Sequence, residues 1–123
     1  MFNANMTGAR PEDRLPLWRA YSEFFLDTEL DELSYAYVAR TVLESGLGLE
    51  AAEAVLWNEV FPVLHANLRN HLGVWDGWSD AWLLAHLRVA SGPAVRAGPR
   101  ATVAEIERCW HRMCAHWSEP QPG

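Results

Sequence analysis

Between positions 56 and 68 the chain reads LWNEVFPVLHANL, an apolar run interrupted by Asn58, Glu59, Pro62 and His65. A carboxylate and an imidazole this close in sequence can act as a general acid/base pair if they share a pocket. The same residues can also be polar ties inside a core, because a buried carboxylate must find donors or take up a proton. On a helix, residues 56–61 project apolar groups in nearly every direction, which places that helix at the centre of a bundle and Glu59 in at least partial burial. Spacing does not settle the matter. Six residues along an unbroken helix separate Glu59 and His65 by about 120°, and Pro62 changes that angle. We expect Glu59 and Asn58 to hold backbone groups, with a Glu59/His65 ligand or catalytic pocket as the alternative reading.

Three other clusters invite a chemical reading. Cys109, His111, Cys114 and His116 carry metal-binding side chains, yet on one continuous helix Cys109 and His116 stand about 10 Å apart along the axis. Only His111 and Cys114 could chelate together, so no metal is expected. Asp27, Glu29 and Asp31 copy the opening of a calcium loop. Glu32 then stands where that loop needs glycine, and Val38 where it needs a bidentate glutamate. This is a solvated acidic corner. The stretch VWDGWSDAW sets Trp75, Trp78 and Trp82 against Asp76 and Asp80, and serves either as an indole plug between helices or as a recognition surface. Phosphate-binding glycine loops, HExxH and nucleophile elbows are missing, and no cofactor is implied.

The 123 residues suit a single domain, half of them hydrophobic and 21% charged. A net charge of −6 argues against nucleic acid and anionic membranes, and favours a basic protein partner. The two cysteines lie about 140° apart on a helix and cannot pair, which fits a reducing compartment. The N-terminal residues lack a charged-then-apolar leader pattern, and no apolar run reaches membrane-spanning length. Both point to the cytoplasm.

Helical periodicity dominates the rest of the chain. Residues 1–13 are read as a flexible arm, 14–118 as the helical domain and 119–123 as a flexible tail. A first helix is expected over about 14–26, with Pro16 in its first turn and an aromatic face of Trp18, Tyr21, Phe24 and Phe25. A second follows, capped by Thr28 or Asp31 and closed by Gly46. A third runs from about Glu50, kinks at Pro62 and continues to about Asn70. Ser79 caps a fifth segment reaching about Val89. Thr102 and Glu105 read as a capping box for the last helix, whose buried stripe is Val103, Ile106, Trp110, Met113 and Trp117. With no strand-like alternation, the fold class is all-α, a compact orthogonal bundle of five or six helices.

RLPLWRAYSEFFLDTELDE, LWNEVFPVLHANL and GVWDGWSDAWL together resemble a family of small helical bacterial proteins classed only as a domain of unknown function. The carrying phrases are Phe25-Leu26-Asp27-Thr28-Glu29 and Glu59-Val60-Phe61-Pro62-Val63. The resemblance covers about residues 14–88; the stretch 89–123 has no counterpart in it. It implies a helical fold and carries nothing about activity.

The expected function is that of a non-enzymatic protein-binding module, most concretely an immunity-type protein that covers the basic surface of a toxin. Its expected contact residues are Asp27, Glu29, Asp31 and Glu32 in one turn, and Trp75, Asp76, Trp78 and Asp80 in another. Charge steers such encounters and a few aromatic anchors hold them. The chain leaves a homodimer open as well.

Overall fold

The first helix begins earlier than the periodicity suggests. In the computed structural model, which describes residues 10–26, 29–66 and 77–117, helix α1 spans Pro11–Ser22 and a 3₁₀ turn, Glu23–Phe25, extends it. Pro11, not Pro16, occupies the first turn, and Asp13 accepts the backbone N–H of Arg10 at 3.2 Å. Residues 11–13 therefore belong to the helical body. Pro16 lies inside the helix, where its ring removes one backbone donor.

Helix α2 spans Glu32–Glu44. Asp31 caps it by accepting the Ser34 N–H at 2.9 Å, and Gly46, with φ of 78°, turns the chain away at its end. Helix α3, Leu49–Val55, then passes into a π turn over Leu56–Val60 and on into α4, Phe61–Leu64. The expected kink at Pro62 takes this form. Proline cannot donate to the carbonyl of Asn58, and the backbone widens just before it, so that the Phe61 N–H reaches back five residues to Leu56 O. Residues 67–76, the expected end of this helix and the loop behind it, lie outside the described residues.

Helix α5, Asp80–His86, opens on Ser79, whose hydroxyl accepts the Trp82 N–H at 3.1 Å, and stops three residues short of the expected Val89. Helix α6, Arg100–Cys114, starts directly after Pro99. The expected Thr102–Glu105 box does not form. Thr102 sits inside the first turn with its side chain buried.

All described regular structure is helical. Helix α1 is the hub, packing on α2, α5 and the π turn, while α2 also carries α6. Trp18, Tyr21, Phe25, Val38, Ala52, Trp57, Phe61, Leu83, Ile106 and Met113 are completely or almost completely buried, so every rod contributes to one core. The α6 stripe holds as expected at Ile106, Trp110 and Met113, with Val103 and Trp117 half-buried at its ends. No described helix is long and apolar enough to cross a membrane.

Candidate partner-binding surface

The polar pair in the π turn organises the frame on which any surface must stand. Glu59 is 2% exposed and is fully ligated by donors. Arg14 Nε donates to both of its oxygens at 3.1 and 3.2 Å, Trp18 donates its indole N–H at 2.8 Å, and the backbone N–H of Ala90 donates at 2.9 Å. Next to it, Asn58 donates to Pro93 O at 2.9 Å and accepts from Val95 N at 2.9 Å. Two adjacent side chains therefore tie α1 and the α5–α6 connection to the central rod. The expected backbone ties are present, joined by two side-chain donors that nothing local could reveal. Arg96 secures the same connection by lying over the Trp57 ring, 5.1 Å from its centroid, and pairing with Glu53 and Glu107.

His65 is engaged elsewhere. Its Nδ1 lies 2.9 Å from the carbonyl of Phe61, and its ring stacks on the Phe61 ring at 5.1 Å. Among the described residues, no hydrogen bond joins His65 to Glu59.

Of the expected contact residues, Asp27, Trp75 and Asp76 lie outside the described residues. The remaining five divide into engaged and free. Asp80 makes a two-pronged pair with Arg19, at 3.0 Å from Nε and 2.9 Å from Nη2, and these hydrogen bonds hold its carboxyl below the usual range. Glu32 accepts from His116, just past the end of α6, and from Arg112 within it, in that order the main reasons its carboxyl is also lowered. Asp31, exposed, is lowered by its helix-capping bonds to Ser34. Glu29 is exposed and makes no hydrogen bond or ion pair among the described residues. Trp78 is half-buried, its ring 6.2 Å from that of Trp82.

The sequence reading missed the groups that join these two segments. Arg19, Tyr37 and Glu23 lie between them. Burial raises the Tyr37 phenol, and Arg19, Glu23 and Asp80 all act on it. Burial also raises Glu23, and the nearby Asp31 raises it further. A line of polar groups thus runs Asp80, Arg19, Tyr37, Glu23, Asp31 along the seam of α1 and α2. Beside it, α5 presents an aromatic ladder. Trp78 leads to Trp82, and Trp82 stacks on His86 with ring centres 3.9 Å apart and planes within 17°. Trp82 is half-buried and His86 exposed, and the His86 Nδ1 meets the Trp82 carbonyl at 2.9 Å. The four-residue spacing of Trp78, Trp82 and His86 was the one available signal for this ladder.

Comparison with known proteins gives a family and no function. No curated protein and no solved structure matches the chain. A family model, Domain of unknown function (DUF7079), matches residues 12–119, so the stretch after residue 88 that the sequence reading left unmatched is, as far as 119, part of the same unit. The chain belongs to the DUF7079 family.

Proposed function

We propose that this protein is a small acidic binding module that docks a basic protein in the cytoplasm, in its most concrete form an immunity-type protein covering the cationic surface of a toxin. The observation that carries the reading is the Trp78–Trp82–His86 ladder standing beside the polar seam of Asp80, Arg19, Tyr37, Glu23 and Asp31, with the exposed Glu29 two positions before Asp31. Partly exposed indoles supply rigid contact area at small entropic cost, and aromatic residues dominate interface energetics. The net charge of −6 gives the long-range attraction that brings a cationic partner to that face. Glu59 and Asn58, by contrast, support a framework role.

Affinity capture from the native cell tests the reading. The wild-type chain should recover one basic protein in stoichiometric amount, Trp82→Ala should lose most of it, and Glu29→Lys should weaken capture in a salt-dependent way. Recovery of no stoichiometric partner, or recovery indifferent to both substitutions, would overturn the proposal.

A further inference from the structure

At the other end of the α1–α2 seam lies a cleft of about 460 Å³, lined by Asp13, Arg14, Pro16, Leu17, Thr41, Glu44, Ser45 and Leu47. It continues the seam just described. Pro16 and Arg19 on α1 and Glu23 just past its end follow one another at three- and four-residue steps, as do Tyr37, Thr41 and Glu44 on α2, so the cleft and the Tyr37 region lie along the same faces of the two helices.

The electrostatics of the cleft are one-sided. Among the described residues its single lining cation, Arg14, is already held by both oxygens of the buried Glu59. That leaves the carboxylates of Asp13 and Glu44 uncompensated. Asp13 accepts only the Arg10 N–H, and Glu44 has no hydrogen bond or ion pair among the described residues. The C-terminus of α2 adds to the imbalance, because a helix end of this sense carries partial negative charge and normally attracts Lys, Arg or His into its last turn. Helix α2 has none there and ends on Glu44 instead. The apolar part of the lining is equally specific. Leu17, Pro16 and Leu47 offer a surface for an aliphatic stem, and a volume near 460 Å³ falls in the range of ordinary small-ligand sites.

We propose that this cleft is a pocket for one organic cation on an aliphatic stem, the arginine or lysine side chain of a basic partner, with Asp13 and Glu44 meeting the charged head and Leu17 and Leu47 packing the stem. Long cationic side chains bury their methylenes along apolar surface while the head stays in polar surroundings, which is the arrangement these walls provide. Identifying the cation as a partner's side chain rests on the function proposed above; the pocket's preference for a cation rests on its own lining.

The test uses the intact chain and n-butylguanidinium as probe, with pentanoate and n-pentanol as anionic and neutral controls of similar size. Backbone amide NMR shifts of Thr41, Glu44, Ser45 and Leu47 should move saturably with the cation and with neither control. Glu44→Gln, at an exposed position whose spectrum reports whether the fold is kept, should weaken the probe roughly tenfold, the loss expected for one charge-assisted contact. Asp13→Asn, which keeps an oxygen for the Arg10 N–H, should weaken it in the same direction. Absence of saturation, equal shifts with pentanoate or pentanol, or a probe affinity unchanged by Glu44→Gln would each overturn the inference. Saturable binding here combined with failed capture of any protein would leave the pocket standing and remove the docking function; the reverse pair of results would do the opposite.

Discussion

Trp18 donates its indole N–H to Glu59 across 2.8 Å and forty-one positions of sequence, so the most buried carboxylate of the described chain is held by a residue of the hub helix. Arg14, one turn earlier, completes the grip. Glu59→Ala would leave the Arg14 charge, the Trp18 indole and the Ala90 N–H without their acceptor. Breaking a buried pair from one side costs about 3–5 kcal/mol, and because Arg14 retains some water contact the lower end, about 3 kcal/mol, is expected in chemical denaturation. Glu59→Gln keeps an acceptor for the indole and should cost less. Equal stability of the alanine variant and the wild type would show the knot to be unimportant.

Gly98 packs directly against Phe61. A Cβ placed there would come within 2.7 Å of the Phe61 ring, itself fully buried between Trp57 and Phe25. Gly98→Ala should therefore destabilise the protein by about 1–3 kcal/mol through overpacking, read as a lower denaturation midpoint. A neutral or stabilising alanine would mean that the connection before α6 shifts freely.

Helix α6 should be inseparable from the fold. Trp110 is 6% exposed and its ring lies 6.4 Å from that of Tyr21 on the hub helix. Trp110→Ala should cost about 3–5 kcal/mol, and removal of residues 100–123 should abolish cooperative unfolding. A truncated chain with the wild-type melting temperature would refute this.

The burial of Glu59 and the buried stripe of α6 were legible in the chain, whereas the contact of Gly98 with Phe61 had no local signal. Local signals were reliable where one residue acts on its neighbours three or four positions away, as Asp31 does for Ser34 and Ser79 for Trp82. They misled where a stronger neighbour intervened. Pro11 took the helix-starting role assigned to Pro16, and a start immediately after Pro99 moved Thr102 from cap to buried interior. The burial of Glu59 was legible from its apolar surroundings. Its partners were not, because Arg14, Trp18 and Ala90 lie 45, 41 and 31 positions away. The same reason hid the seam: Arg19 meets Asp80 at a separation of 61 positions, and Arg112 meets Glu32 at 80. Net charge suggested two open acidic turns, whereas two of their carboxylates are matched to arginines.

The tyrosines predict the alkaline behaviour. All three stand above the usual value near about 10: Tyr21 well above it through burial, Tyr35 to about 12 through burial and then the Cys109 thiol beside it, and Tyr37 through burial. A group whose proton is held more tightly in the folded state contributes stability below its unfolded pKa and loses it as pH rises toward the folded one. Burial raises the Cys109 and Cys114 thiols as well, so stability should begin to fall above about pH 8.5 and fall more steeply above about pH 10, with phenolate absorbance lagging behind free tyrosine until the chain unfolds. Tyr35→Phe should make the decline shallower. Phenolate appearance at the free-tyrosine pH in a chain still folded would contradict the burial argument.

The central claim is that a cationic protein docks on the α1–α2 seam and the α5 ladder. Amide hydrogen exchange of this chain, alone and with its captured basic partner, locates the docking face most directly. The account predicts added protection over Arg19–Glu23, Glu29–Tyr37 and Asp80–His86, reaching Thr41–Leu47 if the cleft takes a partner side chain, and none over the connection 92–99 that Asn58 and Arg96 already hold. Protection centred on that connection or on the outer face of α6, with the seam unchanged, would contradict it.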